Sequence, residues 1–240
     1  MRYILPLMIA VLLACCSCDK SEQKQPGNTP TGASAETQQN VSSGQAVNVE
    51  QDKEQIKQCF ENYKEAILAK DGKKVVQCVD QNTKDYYAQV LEWALMAKRE
   101  EVENLPFIDR VQVLIMRFKI PAEQLRGMNG EDTLAFAVEN GMVGGRANRL
   151  TAGTVTVDGN SGKMEVLAYR MESAGILFGF NRENGEWKID LTSILSARKF
   201  ALELALRISK LTENEFIFES LKGMSPDQPP TDDLWNPIGK

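Results

Sequence analysis

The spacing of apolar residues changes near position 150 of the chain. Before that point they recur every three or four residues, which is typical of helices that bury one face. This spacing predicts helices over 53–69, 73–79, 83–104, 107–118 and 132–139. The N-terminal part of the folded region is therefore expected to be helical.

After position 150, apolar and polar residues alternate as they do in half-buried strands. Two turns between the alternating runs contain Gly159-Asn160-Ser161-Gly162 and Asn184-Gly185. Asn-Gly between two such runs is a strong hairpin signal. The alternation predicts strands over 153–158, 163–169, 175–180 and 187–190.

A second helical pattern follows the strands. It covers 193–211, and a short helix ending near Leu221 comes after it. Helices, an antiparallel meander and a further helix, in that order, are typical of the α+β class. We expect N-terminal helices packed on a curved antiparallel sheet of about four strands, followed by a C-terminal helix.

Three short patterns point to a known family. They are Phe60-x-x-Tyr63-x-x-Ala66-Ile67, then Lys70-Asp71-Gly72 before a Val-rich helix, and a final strand within 185–190. Together with the order of elements, they resemble the nuclear transport factor 2-like superfamily, which shares its cone-shaped fold with ketosteroid isomerase and many small lipoproteins. The helical stretch 105–140 is longer than that family usually has. The resemblance implies a pocket where the sheet curls against the helices.

The first residues have the pattern of a targeting signal. Arg2 precedes an apolar run over 4–14. This run is too short to span a bilayer, which takes about 20 residues. Leu12-Leu13-Ala14-Cys15 resembles a bacterial lipobox, which implies a signal peptide over 1–14 and acylation, as by palmitate, of Cys15. An ordinary cleaved signal with cysteines nearby is the alternative.

The residues that follow predict a tether and then one domain. Positions 15–52 are rich in Gln, Ser, Thr and Gly, and the part from Asp19 onward has no aromatic residue, Leu or Ile. Such a segment buries too little apolar surface to offset its conformational entropy. We expect a disordered tether over 15–52, a globular domain over 53–222 and a Pro-rich tail over 223–240.

Composition excludes several classes of function. The 240 residues carry 28 basic and 33 acidic side chains, a net charge of −5, which does not favour nucleic acid as a partner. There is no histidine, and so histidine bases, histidine metal ligands and Ser-His-Asp triads are excluded. We expect no metal or cofactor. The remaining candidates for acid–base chemistry in a cone pocket are Tyr63, Tyr86, Tyr87, Glu165 and Asp190, and no motif assigns any of them a role.

Cys59 and Cys78 are the cysteines of the predicted domain. Export to an oxidising compartment would allow them to form a disulfide. Two separate buried thiols fit the pattern equally well, because free cysteine behaves as a small apolar residue. A catalytic role for either is not expected, since no histidine is present to activate a thiolate.

The helix predicted over 194–211 is apolar around most of its circumference. Such a helix either lies within a core or docks a partner. The tail either packs back through Trp235 or serves as an exposed peptide.

We expect an envelope protein, periplasm-facing or surface-exposed, that is anchored to the membrane by its lipid and binds a small apolar ligand or a protein partner. The alternatives are an isomerase- or hydrolase-like enzyme using Asp and Tyr, and an envelope assembly or inhibitory factor.

Overall fold

Helices precede and follow a four-stranded antiparallel sheet in this computed structural model, which describes residues 43–145, 147–168 and 176–239. The α+β class predicted from the sequence is confirmed. The helices are α1 (Ser43–Leu68), α2 (Gly72–Cys78), α3 (Gln81–Met96), α4 (Arg99–Glu103), α5 (Phe107–Lys119), α6 (Ala122–Arg126), α7 (Gly130–Glu139), α8 (Leu195–Ser209) and α9 (Glu213–Met224). The strands are β1 (Leu150–Asp158), β2 (Ser161–Ala168), β3 (Ile176–Glu183) and β4 (Glu186–Asp190), and short 3-10 turns cover Ala147–Arg149, Leu191–Ile194 and Asp232–Trp235.

The sheet is a simple meander in the order β1-β2-β3-β4. Asn184 and Gly185 join β3 to β4 with φ angles of 51° and 87°, the left-handed conformations that a tight hairpin turn requires. The register of β1 on β2 shifts between Ala152 and Val155, where the strand is irregular. All four strands lie within two or three residues of the ranges that alternation predicts.

One face of the sheet is covered by α1. Ile56 and Phe60 of α1 are buried against it, and the ring of Phe60 meets the ring of Phe178 edge-on at 5.8 Å. A Cβ atom at Gly162 would lie 2.5 Å from Cδ1 of Ile56, and so a larger residue there would force the end of the Ile56 side chain to shift. The interface between α1 and the sheet is therefore filled with side chains.

Polar groups join the start of α3 to β3 and to the 3-10 turn after β4. The carboxylate of Asp80 caps α3 by accepting from the backbone N–H of Thr83 at 2.9 Å, and it also accepts from the side-chain amide of Asn181 at 2.8 Å. The hydroxyl oxygen of Thr83 accepts from the backbone N–H of Leu191 at 2.9 Å. These bonds fix the helical layer relative to the end of the sheet.

Two glycines bring the N-terminal helices together. A Cβ at Gly72 of α2 would lie 2.5 Å from the carbonyl oxygen of Ala135 in α7. A Cβ at Gly130 of α7 would lie 2.5 Å from the backbone nitrogen of Ala88 in α3. Helix α7 is consequently held by close backbone contacts on both sides.

The tail packs on the helices through Trp235, which is 2% exposed. Its ring stacks on Phe218 of α9 with centroids 5.9 Å apart. The guanidinium of Arg117, in α5, donates to the carbonyl oxygens of Leu234 and Trp235 at 3.1 and 3.0 Å. Of the two expectations for the tail, packing through tryptophan is the one that the structure shows.

Two element boundaries differ from those predicted. Helix α1 begins at Ser43, ten residues before the start of the first helix predicted over 53–69. Asp52, the last residue assigned to the tether, is only 6% exposed because it contacts Arg182 and Trp187. The helix predicted over 83–104 is divided at Ala97, whose backbone is extended and whose carbonyl oxygen accepts from Arg117 at 2.6 Å. At both places, a residue near the boundary contacts residues that are distant in the chain.

Candidate binding cavity

A cavity of about 240 Å³ lies among the helices. It is lined by residues of α3, α5, α7 and α8, the segment after α7 and the end of α9, and none of the lining residues belongs to β1–β4. The resemblance to the cone-shaped family predicts a pocket between sheet and helices, whereas that interface is filled by Phe60, Met164, Phe178 and their neighbours. The cavity thus lies elsewhere in the fold than the sequence reasoning placed it.

Helix α5 supplies much of the lining because apolar residues surround it on more than one side. Val113 and Leu114 are fully buried in the core. Ile108, Val111 and Ile115 line the cavity. A helix with an apolar stripe this wide packs against neighbours on two sides, and the cavity occupies part of the space between α5 and α8.

Further apolar side chains complete the lining. Tyr87 comes from α3, and Leu202 comes from α8. The remaining apolar lining residues, from α5 onward, are Met116, Ile120, Phe136, Ala137, Met142, Val143 and Met224. A concave space with such a lining favours an apolar ligand.

Among the described residues of the lining, two are cationic, Lys119 and Arg198, and none is acidic. The ammonium of Lys119 donates to the carbonyl oxygen of Met224 at 3.2 Å and to the hydroxyl of Ser225 at 2.7 Å. Partial burial lowers the pKa of Lys119 below its ordinary value. Gln112 and Asn140 add neutral polar groups. The electrostatics of the cavity therefore favour a ligand with a negatively charged end.

The structure separates the residues proposed for acid–base chemistry. Tyr87 lines the cavity, whereas Tyr63 packs on the core from α1. Glu165 lies on β2 opposite Leu177 of β3. The carboxylate of Asp190 accepts from the backbone N–H of Thr192 at 2.8 Å and so caps a 3-10 turn. These positions do not form a common site.

Tyr86 has a specific partner but not the properties of a proton donor. Its hydroxyl donates to Asp109 at 2.8 Å. Burial, together with the negative charge of Asp109, raises the pKa of Tyr86 well above its ordinary value. A phenol that keeps its proton this firmly is poorly suited to general acid–base catalysis near neutral pH.

Cys59 and Cys78 carry free thiols in this structure, and the disulfide that export would allow stays a prediction. The thiol of Cys59 points at the carbonyl oxygen of Cys78, with 4.0 Å between sulfur and oxygen. Burial, reinforced by neighbouring Cys78, raises the pKa of Cys59 to about 12. The two residues serve as packing between α1 and α2.

Helix α8 corresponds to the segment 194–211, for which the sequence left open docking of a partner. Its apolar residues fall into a buried set and an exposed set. Ala201, Leu202 and Ala205 are buried. Phe200, Leu204 and Ile208 are 61%, 38% and 53% exposed. One side of α8 is core, and a neighbouring side presents apolar groups to solvent.

Several predictions concern residues or groups that the structure does not place. Cys15, the signal peptide and the tether up to position 42 lie outside the described residues. Within the described ranges, no helix is long and apolar enough to cross a bilayer, and no cluster of three or more Cys, Asp or Glu side chains is arranged to hold a metal.

Sequence reasoning did not identify Lys119, Arg198 or Gln112 as cavity residues. The apolar stripe of α5 could be recognised in the sequence. The cavity beside it, however, depends on how α7 and α8 pack against α5. Comparisons with protein-family models, with curated proteins and with solved structures found no match.

Proposed function

We propose that this protein is a non-catalytic, lipid-anchored envelope protein that binds a small ligand with an apolar body in the cavity among its helices. The observation that carries the proposal is the largely apolar lining of that concave cavity. Anchoring through acylated Cys15 is part of the proposal and rests on the lipobox resemblance.

The size of the cavity limits the ligand. At about 240 Å³ it exceeds the roughly 150 Å³ apolar cavity that accommodates benzene. It is smaller than the roughly 300–1,000 Å³ typical of sites for drug-sized ligands. A single short acyl chain or one small ring system is the class that fits.

The charge of the lining indicates which end group the ligand carries. Lys119 and Arg198 are the charged lining residues, and both are cationic. A carboxylate or phosphate attached to the apolar body would gain a favourable interaction there, because electrostatic attraction is stronger in a partly desolvated site. We therefore favour an amphipathic anion such as a short fatty acid.

The two alternatives have less support. An isomerase- or hydrolase-like enzyme needs acid and base groups that converge, whereas Tyr63, Tyr86, Glu165 and Asp190 lie apart. An assembly or inhibitory factor would act through the exposed residues of α8. That the domain is nuclear transport factor 2-like is a separate proposal, which rests on the sequence patterns alone.

The binding proposal is tested by calorimetric titration of the protein with octanoate and decanoate, and with decanol as an uncharged chain. Ala137→Trp places a large ring in the cavity, and Glu139→Trp places the same ring on the exposed side of the same helix. We expect both acids to bind the native protein and the Glu139 variant, and binding to be lost in the Ala137 variant.

Circular dichroism of both variants establishes that they are folded before they are compared. Failure of every acyl probe to bind the native protein would overturn the proposal. Equal binding by the folded Ala137 and Glu139 variants would show that the ligand binds outside the cavity.

A further inference from the structure

The apolar row of α8, defined as Phe200, Leu204 and Ile208, is a continuous exposed strip. The three residues are spaced four apart, which places them on one side of the helix. All three are exposed, whereas Ala201 and Ala205 on the adjoining side are buried. The row is therefore separate from the contacts that hold α8 in the domain.

Basic side chains accompany the row. Lys199 and Arg207 on α8, and Lys210 at its C-cap, are exposed, and Glu203 is the acidic residue among them. Glu203 lies 3.9 Å from the ammonium of Lys199. Within the part of the chain that the structure describes, neither Arg207 nor Lys210 has a carboxylate at ion-pair distance. This side of the helix is positive in a chain whose net charge is −5.

A second copy of the chain is a poor occupant for this surface. The three side chains together expose on the order of 300 Å², well below the roughly 800 Å² that each partner buries in a standard interface. A symmetric pair would also place the basic groups of one copy against those of the other. The small apolar area and the positive charge therefore fit a different partner.

We propose that α8 docks on the surface of an anionic bilayer, with Phe200, Leu204 and Ile208 inserted at the acyl boundary and Lys199, Arg207 and Lys210 among the headgroups. An apolar strip flanked by Lys and Arg is the pattern by which interfacial helices bind anionic lipid. The interaction needs no large complementary surface, since lipid adapts to the side chains.

Docking in this way would bring the cavity next to lipid. Helix α8 also supplies Arg198 and Leu202 to the cavity lining. The wall of the proposed binding site would then face the membrane from which an acyl ligand can come. This consequence rests on the proposed function, whereas docking itself does not.

The test is co-sedimentation with vesicles of phosphatidylcholine alone and of equimolar phosphatidylcholine and phosphatidylglycerol. The protein is the chain from residue 15 onward with Cys15→Ser, which keeps every described residue and carries no lipid. The first variant combines Phe200→Gln, Leu204→Gln and Ile208→Gln. Its matched control combines Leu68→Gln, Met96→Gln and Leu177→Gln, which removes three exposed apolar side chains from other elements.

We expect the unsubstituted chain to bind the anionic vesicles, the α8 variant to lose at least about tenfold in partitioning, and the control to stay within about twofold. Lys199→Gln with Arg207→Gln should weaken binding to anionic vesicles and leave any binding to neutral ones unchanged. Equal partitioning of the α8 variant and its control would overturn the proposal.

Absence of binding to both kinds of vesicle would overturn it as well. Sedimentation without vesicles tests self-association. If the mass rises with protein concentration, the α8 variant abolishes that rise and no vesicles are bound, the row is assigned to a second copy of the chain instead. Acyl-chain titration in the absence of vesicles tests the cavity separately, so that failure of docking and failure of the proposed function are distinguished.

Discussion

The carboxylate of Asp52 in α1 accepts a hydrogen bond from the guanidinium of Arg182 in β3. The same oxygen lies 3.4 Å from the indole nitrogen of Trp187 in β4, and the guanidinium stacks on the Trp187 ring at 4.6 Å from its centroid. Because Asp52 is buried away from water, these two donors are the groups that stabilise its negative charge. The contact joins the first helix to the far edge of the sheet.

Asp52→Asn should lower the free energy of unfolding by about 2–3 kcal/mol, because it leaves the half-buried guanidinium of Arg182 without its counter-charge. Urea denaturation measures the change. Glu50→Gln is the control, since Glu50 forms an exposed pair with Lys53, and it should change stability by less than about 0.5 kcal/mol. Similar effects of the two substitutions would show that the Asp52 contact does not stabilise the fold.

Arg117→Lys should destabilise the protein by about 3 kcal/mol and loosen the tail. The buried guanidinium donates to five backbone carbonyl oxygens, and a lysine ammonium has only three donors. Burial lowers the pKa of Arg117 to about 10, so the group stays charged at neutral pH. The five acceptors are those of Trp93, Ala94, Ala97, Leu234 and Trp235.

Thermal unfolding and limited proteolysis check this prediction for Arg117. The matched control is Arg126→Lys, because Arg126 also bonds the tail, at the carbonyl oxygen of Ile238, but from an exposed position. A tail that is cleaved no faster in the Arg117 variant than in this control would contradict it.

The thiol of Cys59 should make stability depend on alkaline pH. Its pKa is raised by burial from 9.0 to about 12, and so above pH 9 the unfolded chain loses this proton more readily than the folded one. This contribution to stability is full below pH 9 and should fall by about 1 kcal/mol per pH unit as the pH rises toward 12. Urea unfolding of the native protein and of Cys59→Ala across this window measures it. Parallel pH profiles for the two proteins would refute the prediction.

Lys119→Gln should reduce the affinity for decanoate by roughly tenfold while leaving the affinity for decanol unchanged, because only the acid carries a charge for the ammonium. Lys222→Gln, at an exposed position on α9, is the control and should alter neither. Titration calorimetry provides both affinities. An equal loss for acid and alcohol would mean that Lys119 shapes the cavity without contacting the charged end.

Cys15→Ser should move the protein from the membrane fraction to the soluble fraction after a high-salt wash. The substitution removes the sulfur to which the lipid is attached, and the wash weakens any electrostatic contact of α8 with the membrane surface. Fractionation of cells that express each form, followed by immunoblotting, measures the distribution. Retention of the serine variant in the washed membranes would exclude Cys15 as the anchor.

The sheet could be predicted closely because its signals are local. Alternation fixed the faces of the strands, and Asn184-Gly185 specified a turn whose φ angles the structure reproduces. The helices from α2 to α5 were also visible as apolar stripes, apart from the break at Ala97. At that break, the carbonyl oxygen of Ala97 accepts a hydrogen bond from Arg117, which lies 20 residues later.

The cavity could not be predicted in the same way. Its lining comes from several segments between Tyr87 and Met224. Its volume is the space that remains where the side chains of these helices do not fill the gap between them. Glycine contacts at Gly72 and Gly130 set the position of α7, and no periodicity in the sequence reports them. The contact of Asp52 with Arg182 and that of Arg117 with Trp235 could not be predicted for the same reason. The two residues of each contact are 130 and 118 positions apart, respectively.

The packed tail also sets an order of events during synthesis. Arg117 leaves the ribosome long before Leu234 and Trp235, which supply two of its acceptors. Trp235 fills a buried position beside Phe218 that no earlier residue occupies. The helical layer can therefore complete its packing only when Leu234 and Trp235 have emerged from the ribosome, and a chain truncated before them lacks two acceptors of the Arg117 guanidinium and the ring that stacks on Phe218.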